Sequence, residues 1–226
     1  CGALHPERIR AMTLEAGADA GFAYDGDADR LIACDEKGNI VDGDKILCIF
    51  AATLKSAGAL RENVVVGTAH TNTGAENYLK KLGIRLIRTD IGDKYVAEAM
   101  QKSGAQIGGE QSGHIILADY AVTGDGILTS VKLAELVAEK NFSRLADIRL
   151  LPQYNGSVRV KDKVRILGDE YLRDFIDRTR QGVARLVVRA SGTEPVVRIF
   201  AEAESMKAAK AAVEKVRAYI RAAEEG

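Results

Sequence analysis

Between residues 63 and 139 the chain alternates short apolar runs with longer segments of helical period, and no other feature limits its architecture as strongly. The pattern predicts strands at 63–66, 84–88, 106–108 and 115–117, and helices at 75–82, 94–102 and 126–139. Such alternation favours a parallel sheet with helices on both faces. Upstream, the pattern predicts a helix at 6–14 with Pro6 in its first turn, then a strand at 20–24. A hairpin of 31–35 with 39–41 turns at Glu36-Lys37-Gly38. A helix at 45–55 presents Ile46, Leu47, Ile49 and Phe50 as its apolar face. A boundary is expected at 143–152. Beyond it come a strand at 154–160, a helix at 169–178, strands at 185–188 and 196–202, and a final helix at 206–223. The expected fold class is α/β with a parallel or mixed sheet, followed by a small α+β C-terminal domain.

Composition narrows the function classes. Of 226 residues, 46% are hydrophobic and 28% charged, as in ordinary globular proteins. Thirty-two basic residues balance 32 acidic ones, so the chain has no long-range attraction for nucleic acid or an anionic membrane. An anionic ligand must therefore be held by locally arranged cations. No run approaches the ~18 consecutive apolar residues of a membrane span. Cys1, Cys34 and Cys48 form no Cys-x-x-Cys pair, and Cys34 and Cys48 lie in apolar runs. They read as small buried hydrophobes, which suits a reducing cytosol and a cytoplasmic protein. The chain starts at Cys1 rather than Met and reads as a piece that begins inside a longer protein.

Three polar loops carry the chemistry. In Asp25-Gly26-Asp27-Ala28-Asp29-Arg30, directly after a strand, carboxylates at i, i+2 and i+4 can converge on one point. Oxygen-only donors suit a hard divalent cation such as Mg²⁺, and the lack of His and thiolate argues against zinc. An EF-hand is rejected: Arg30 stands where the loop's turning Gly belongs, and Leu31-Ile32-Ala33-Cys34 reads as strand. A solvated acidic turn stays open, as does an aspartyl-phosphate hydrolase with Asp25 as nucleophile and Asp27 as acid. Gly108-Gly109-Glu110-Gln111-Ser112-Gly113-His114 joins two strands, and loops at strand ends in α/β sheets are where ligands usually bind. Glu110 and Ser112 can bond neighbouring sugar hydroxyls, and His114 can contact a phosphate or act as acid or base. A glycine-rich turn with a capping Ser and a structural His is the alternative. In Arg189-Ala190-Ser191-Gly192-Thr193-Glu194-Pro195, followed by Arg198, hydroxyls and backbone amides around Gly192 make an anion-binding nest. Arg189 and Arg198 add planar donors suited to phosphate. A tight turn with two surface arginines is the alternative.

The order and spacing of these loops resemble the α-D-phosphohexomutase family. There, an Asp-Gly-Asp loop binds Mg²⁺, a Gly-Gly-Glu-x-Ser-Gly-His loop reads the sugar and an Arg-x-Ser-Gly-Thr-Glu-Pro loop holds the phosphate. Gly108 to His114 with Thr123-Gly124-Asp125-Gly126 most resembles the bacterial phosphoglucosamine mutases; the phosphomannomutase/phosphoglucomutases, which more often carry Met where Gln111 stands, and a non-catalytic sugar-phosphate-binding fragment are the alternatives. Gly92-Asp93-Lys94-Tyr95-Val96 is similar to a further family segment.

The resemblance implies Asp25, Asp27 and Asp29 as ligands of Mg²⁺, and Arg30 as an auxiliary positive charge. It implies Glu110, Ser112, His114, Lys94, Arg189, Ser191, Gly192, Thr193 and Arg198 as contacts to a hexosamine phosphate. It also implies that residues 1–42 end a second domain, 43–150 form a third and 151–226 a fourth. The family's phosphorylated serine, in a Thr-Ala-Ser-His-Asn-Pro-like loop, has no counterpart in these residues. The implied reaction interconverts glucosamine 6-phosphate and glucosamine 1-phosphate through a bisphosphate. The implied partners are the missing N-terminal half and, as a further expectation, a second copy of the chain. An incomplete second domain is expected to leave apolar surface exposed on residues 20–24.

Overall fold

The computed structural model describes residues 2, 3 and 5–225, so Cys1 lies outside the described residues. Two compact units divide the chain, Cys1–Arg149 and Leu150–Gly226.

The first unit opens with α1 (Glu7–Ala16), β1 (Ala20–Tyr24), β2 (Leu31–Asp35) and β3 (Ile40–Val41). The three strands form an antiparallel sheet in that order, registered Tyr24 to Leu31 and Cys34 to Ile40. The metal-type loop is the β1–β2 connection. Next come α2 (Gly43–Ser56), β4 (Val64–Thr68), α3 (Thr73–Lys81), β5 (Arg85–Thr89), α4 (Asp93–Ser103), β6 (Ile107–Gly109), β7 (Ile115–Leu117), α5 (Gly126–Glu139) and α6 (Phe142–Leu145). Side-chain oxygens of Asp42, Asn72 and Asp125 cap α2, α3 and α5 by accepting backbone N–H bonds.

The second sheet runs β5-β4-β6-β7. β4 is parallel to β5 and β6, whereas β7 is antiparallel to β6. The sheet is therefore mixed. Val64 and Val66 pack with Val96 and Met100 of α4. Val65, on the alternate face, is equally buried, and α2 and α3 pack on β6 and β5. A strand buried on both faces reads as an unbroken Val run, as β4 does.

Expected exposure of 20–24 is not found. Gly21 and Ala23 are buried and their neighbours half-buried, because α1 and α5 pack on β1. Exposed large apolar side chains lie instead on the helices packed on β1, Met12 and Leu14 of α1 and Ile127 and Val131 of α5, and in loops, as at Tyr120 and Val122. Cys34 and Cys48 are buried as free thiols, and burial pushes both pKa values up.

The second unit contains β8 (Gln153–Arg159), α7 (Lys163–Gly168), α8 (Glu170–Arg180), β9 (Arg185–Ala190), β10 (Val196–Glu202) and α9 (Met206–Glu225). Its antiparallel sheet has the order β8-β10-β9. Val197, Ile199 and Ala201 of β10 pack with Leu172 of α8 and Val213, Val216 and Ile220 of α9. Alternation then leaves Arg198 on the opposite, open face, beside its register partners Ser157 and Arg189. No helix of the described residues is long and apolar enough to cross a membrane.

Candidate functional site

The β1–β2 loop turns sharply enough to gather its acids. Ala28 takes a left-handed φ of 60°, and its carbonyl accepts from the N–H of Gly126 at 2.9 Å. One carboxylate oxygen from each of Asp25, Asp27 and Asp29 lies within 4.8 Å of the others. Arg30 Nε sits 3.5 Å from Asp25 Oδ2 and 3.7 Å from Asp29 Oδ1. Asp29 Oδ1 is buried and has no hydrogen-bond partner. A buried carboxylate oxygen in that state is costly unless a cation satisfies it. Three converging carboxylate oxygens, beside a buried Asp29 Oδ1 that has only the Arg30 ion pair, fit a hard divalent ion.

The β6–β7 loop is held against this one. Leu31 N donates to Gly113 O at 3.0 Å, and Arg30 bridges His114 in antiparallel fashion. Gly113 has φ 97°, and a Cβ there would lie 2.2 Å from Leu31 O, so only glycine fits. Glu110 Oε1 accepts from Gly92 N at 3.1 Å. Arg30, Thr68, His70, Ile91, Glu110, Gln111 and Ser112 line one cleft of about 380 Å³. The cleft sits at the C-terminal end of β4, where an open α/β sheet usually binds ligands.

Two expected contacts are not among the residues that line this cleft. His114 is 4% exposed and both ring nitrogens are engaged: Nδ1 with Asp29 Oδ2 at 3.0 Å, and Nε2 accepting from Gly124 N at 3.2 Å. Lys94 is exposed at the start of α4, with Nζ 5.0 Å from the centre of the Tyr95 ring.

In the second unit, Ser191 is buried, and its hydroxyl accepts from Glu194 N at 3.4 Å inside the loop. No residue from Ala190 to Pro195 takes a positive φ, so any amides gathered around Gly192 are presented by turn conformations. Arg189, Gly192, Thr193 and Arg198 are exposed. Arg198 Nη2 bonds Glu194 Oε2 at 2.8 Å and lines a cleft of about 450 Å³ with Ser157 and Arg217. Lys163 Nζ donates to Ser191 O at 2.7 Å and Glu194 O at 3.1 Å, bracing the loop from α7.

Sequence reasoning missed Thr68, His70, Lys163 and Arg217. The strand-end rule applied to β4 would have found the first two. Lys163 had no signal, since only the fold brings it to a loop 28 residues away.

Comparison with known proteins places these loops in a family. The phosphoglucomutase/phosphomannomutase alpha/beta/alpha domain III matches residues 42–154, and the C-terminal domain of the same family matches 134–219. The chain belongs to this family. Among curated phosphohexomutases, the phosphoglucosamine mutase of Geobacillus kaustophilus is 46% identical over 226 residues, covering 97% of this chain and 50% of that protein. The phosphoglucosamine mutase of Thermotoga neapolitana is 51% identical over 205 residues, covering 89% and 47%. The chain thus spans about half the length of the curated relatives it matches.

Solved structures share the fold. A phosphoglucomutase/phosphomannomutase family protein of Burkholderia thailandensis has a TM-score of 0.76 at 24% identity, over 100% of this chain and 52% of its own. The Aspergillus fumigatus N-acetylphosphoglucosamine mutase, solved in complex with GlcNAc-6P and magnesium, has a TM-score of 0.73 at 23% identity, over 99% and 53%.

Proposed function

We propose that the protein of which this chain forms part interconverts glucosamine 6-phosphate and glucosamine 1-phosphate by way of a phosphoserine and a bisphosphorylated sugar, in the cytoplasm. Residues 1–42 end its second domain, 43–150 form the third and 151–226 the fourth. The observation that carries the reading is the carboxylate cluster of Asp25, Asp27 and Asp29, whose neighbour Arg30 lines one cleft with Glu110 and Ser112.

Asp25, Asp27 and Asp29 hold Mg²⁺, which when bound neutralises charge on a transferring phosphoryl group. Arg30 keeps these acids from repelling one another and adds a positive edge to the cleft. Glu110, fixed by Gly92 N, accepts from sugar hydroxyls, and Ser112 both donates and accepts. In the second unit, Arg189, Arg198, Gly192 and Thr193 bind phosphate, and Ser191 shapes their loop. Charged donors on a preformed frame lower the barrier by positioning and by offsetting charge.

The serine nucleophile has no counterpart in residues 1–226, and the relatives are about twice as long. The chain alone therefore binds without turnover, and supplying the N-terminal half restores it. The test is calorimetry of the chain with Mg²⁺ and glucosamine 6-phosphate. Arg198→Ala is expected to weaken sugar-phosphate binding by about 1–3 kcal/mol, the worth of a charged hydrogen bond. Unchanged affinity would remove Arg198 from the phosphate site, and no binding by the wild-type chain would overturn the reading.

A further inference from the structure

We propose that Lys163 is a positioning residue for the loop of residues 189–198: its ammonium holds the Ser191 carbonyl and thereby turns the Gly192 N–H outward, toward an anion. The inference rests on the proposal that this loop binds the sugar phosphate.

The base of the loop is fixed by backbone. Ser191 N donates to Val196 O at 2.9 Å, and Val160 N, just ahead of α7, donates to Pro195 O at 3.0 Å. The tip has no such frame. Gly192 is exposed, and among the described residues its N–H donates to no backbone carbonyl. No positive φ lies between Ala190 and Pro195, so alternating handedness does not aim the amides either. Lys163 supplies the missing constraint. Its Nζ donates to Ser191 O at 2.7 Å and to Glu194 O at 3.1 Å, closing the loop from the α7 side.

Ser191 O and the Gly192 N–H belong to one peptide group. In a planar trans peptide the C=O and the N–H point in opposite directions. A carbonyl pinned to Lys163 therefore sends the Gly192 N–H to the far side of the loop, away from α7. Pro195 follows Glu194 and has no N–H, so the second grip closes the loop without turning another donor. The ammonium starts from a fixed backbone: α7 begins at Lys163, and Asp162 caps it by accepting from Val164 N at 2.9 Å and Arg165 N at 3.0 Å.

The test uses the full chain with inorganic phosphate as the probe, read by calorimetry and by the Gly192 amide resonance. In wild type the Gly192 amide proton is expected to move downfield as phosphate binds. Lys163→Met and Lys163→Ala are expected to move that resonance before any phosphate is added, and to bind phosphate about 10-fold more weakly, the worth of one hydrogen bond to a charged group. Lys163→Arg, which keeps a charged N–H donor, is expected within about threefold of wild type. A lost charge acting only through space would fade between about 0.1 M and about 1 M salt, as the Debye length falls from about 10 Å to about 3 Å. The deficit of the Met and Ala variants is expected to persist. Circular dichroism melts establish that each variant is folded at the titration temperature. Wild-type affinity in folded Lys163→Met or Lys163→Ala, or a deficit that vanishes in high salt, overturns the inference and leaves the phosphate loop standing. A wild-type chain that binds neither inorganic phosphate nor glucosamine 6-phosphate overturns the phosphate loop, and the inference with it.

Discussion

At the scale of single residues, the cleft depends on a glycine that touches no ligand. Gly43 is buried at the first position of α2, and its N–H donates to Gln111 O at 3.1 Å. A Cβ there would lie 2.0 Å from Glu110 O and 2.7 Å from Gly113 N. Both neighbours are backbone, which cannot rotate aside as a side chain would. Gly43→Ala should therefore cost about 1–3 kcal/mol of stability, the usual price of overpacking. The strain falls on the loop that carries Glu110 and Ser112, so sugar-phosphate affinity should fall as well. Urea unfolding followed by circular dichroism, with calorimetry on the folded variant, checks both, and an unchanged midpoint would refute the close approach.

At the scale of elements, β1, α5 and β10 were legible in the sequence to their end residues, because each has a clear period and a sharp stop. α6 and α7 were not: four and six residues are too few for a helical period to declare itself. The expectation of a parallel or mixed sheet left the direction of β7 open, although residues 110–114 are too few for a parallel crossover and leave only a hairpin. The acidic cluster and the Glu110–Ser112 turn were legible because their residue types are local in sequence. The hydrogen bonds of His114 were not, since they join positions 85 and 10 residues away.

A similar long-range bond ties the β2–β3 turn to α6. The Glu36 carboxylate accepts from Ser143 N at 2.9 Å and from the Ser143 hydroxyl. Burial alone would raise its pKa, but these hydrogen bonds outweigh it and hold the group below the usual glutamate value. A lowered folded pKa means the stabilisation is present above the unfolded value of about 4.3 and is lost as pH falls through the folded one. Glu36→Gln should thus be less stable than wild type at pH 7 by under about 1 kcal/mol, since the site is close to solvent. The gap should narrow as pH falls from the unfolded value of about 4.3 and close only below the folded one, where both side chains are neutral. Urea midpoints at pH 7 and in acid check it, and a gap that widens in acid would reverse the sign.

At the scale of the whole molecule, the second unit has what an independent fold needs. Leu150–Gly226 encloses its own core, built from one face of β8-β10-β9 and the apolar sides of α8 and α9. Phe175 and Tyr219 stack across the two helices with ring centres 4.7 Å apart. The unit is small, and chains of this size bury a modest fraction of their surface, so its stability should be marginal and every buried side chain should count. Residues 150–226 alone should give a cooperative thermal transition by circular dichroism. Leu172, 1% exposed in that core, tests the assignment. Leu172→Ala should remove about 2–5 kcal/mol and lower the midpoint by more than about 8 °C, or abolish the transition in the isolated unit. An isolated wild-type segment without a transition would mean that its core is completed by residues before Leu150, and that the boundary between the units is not one of stability.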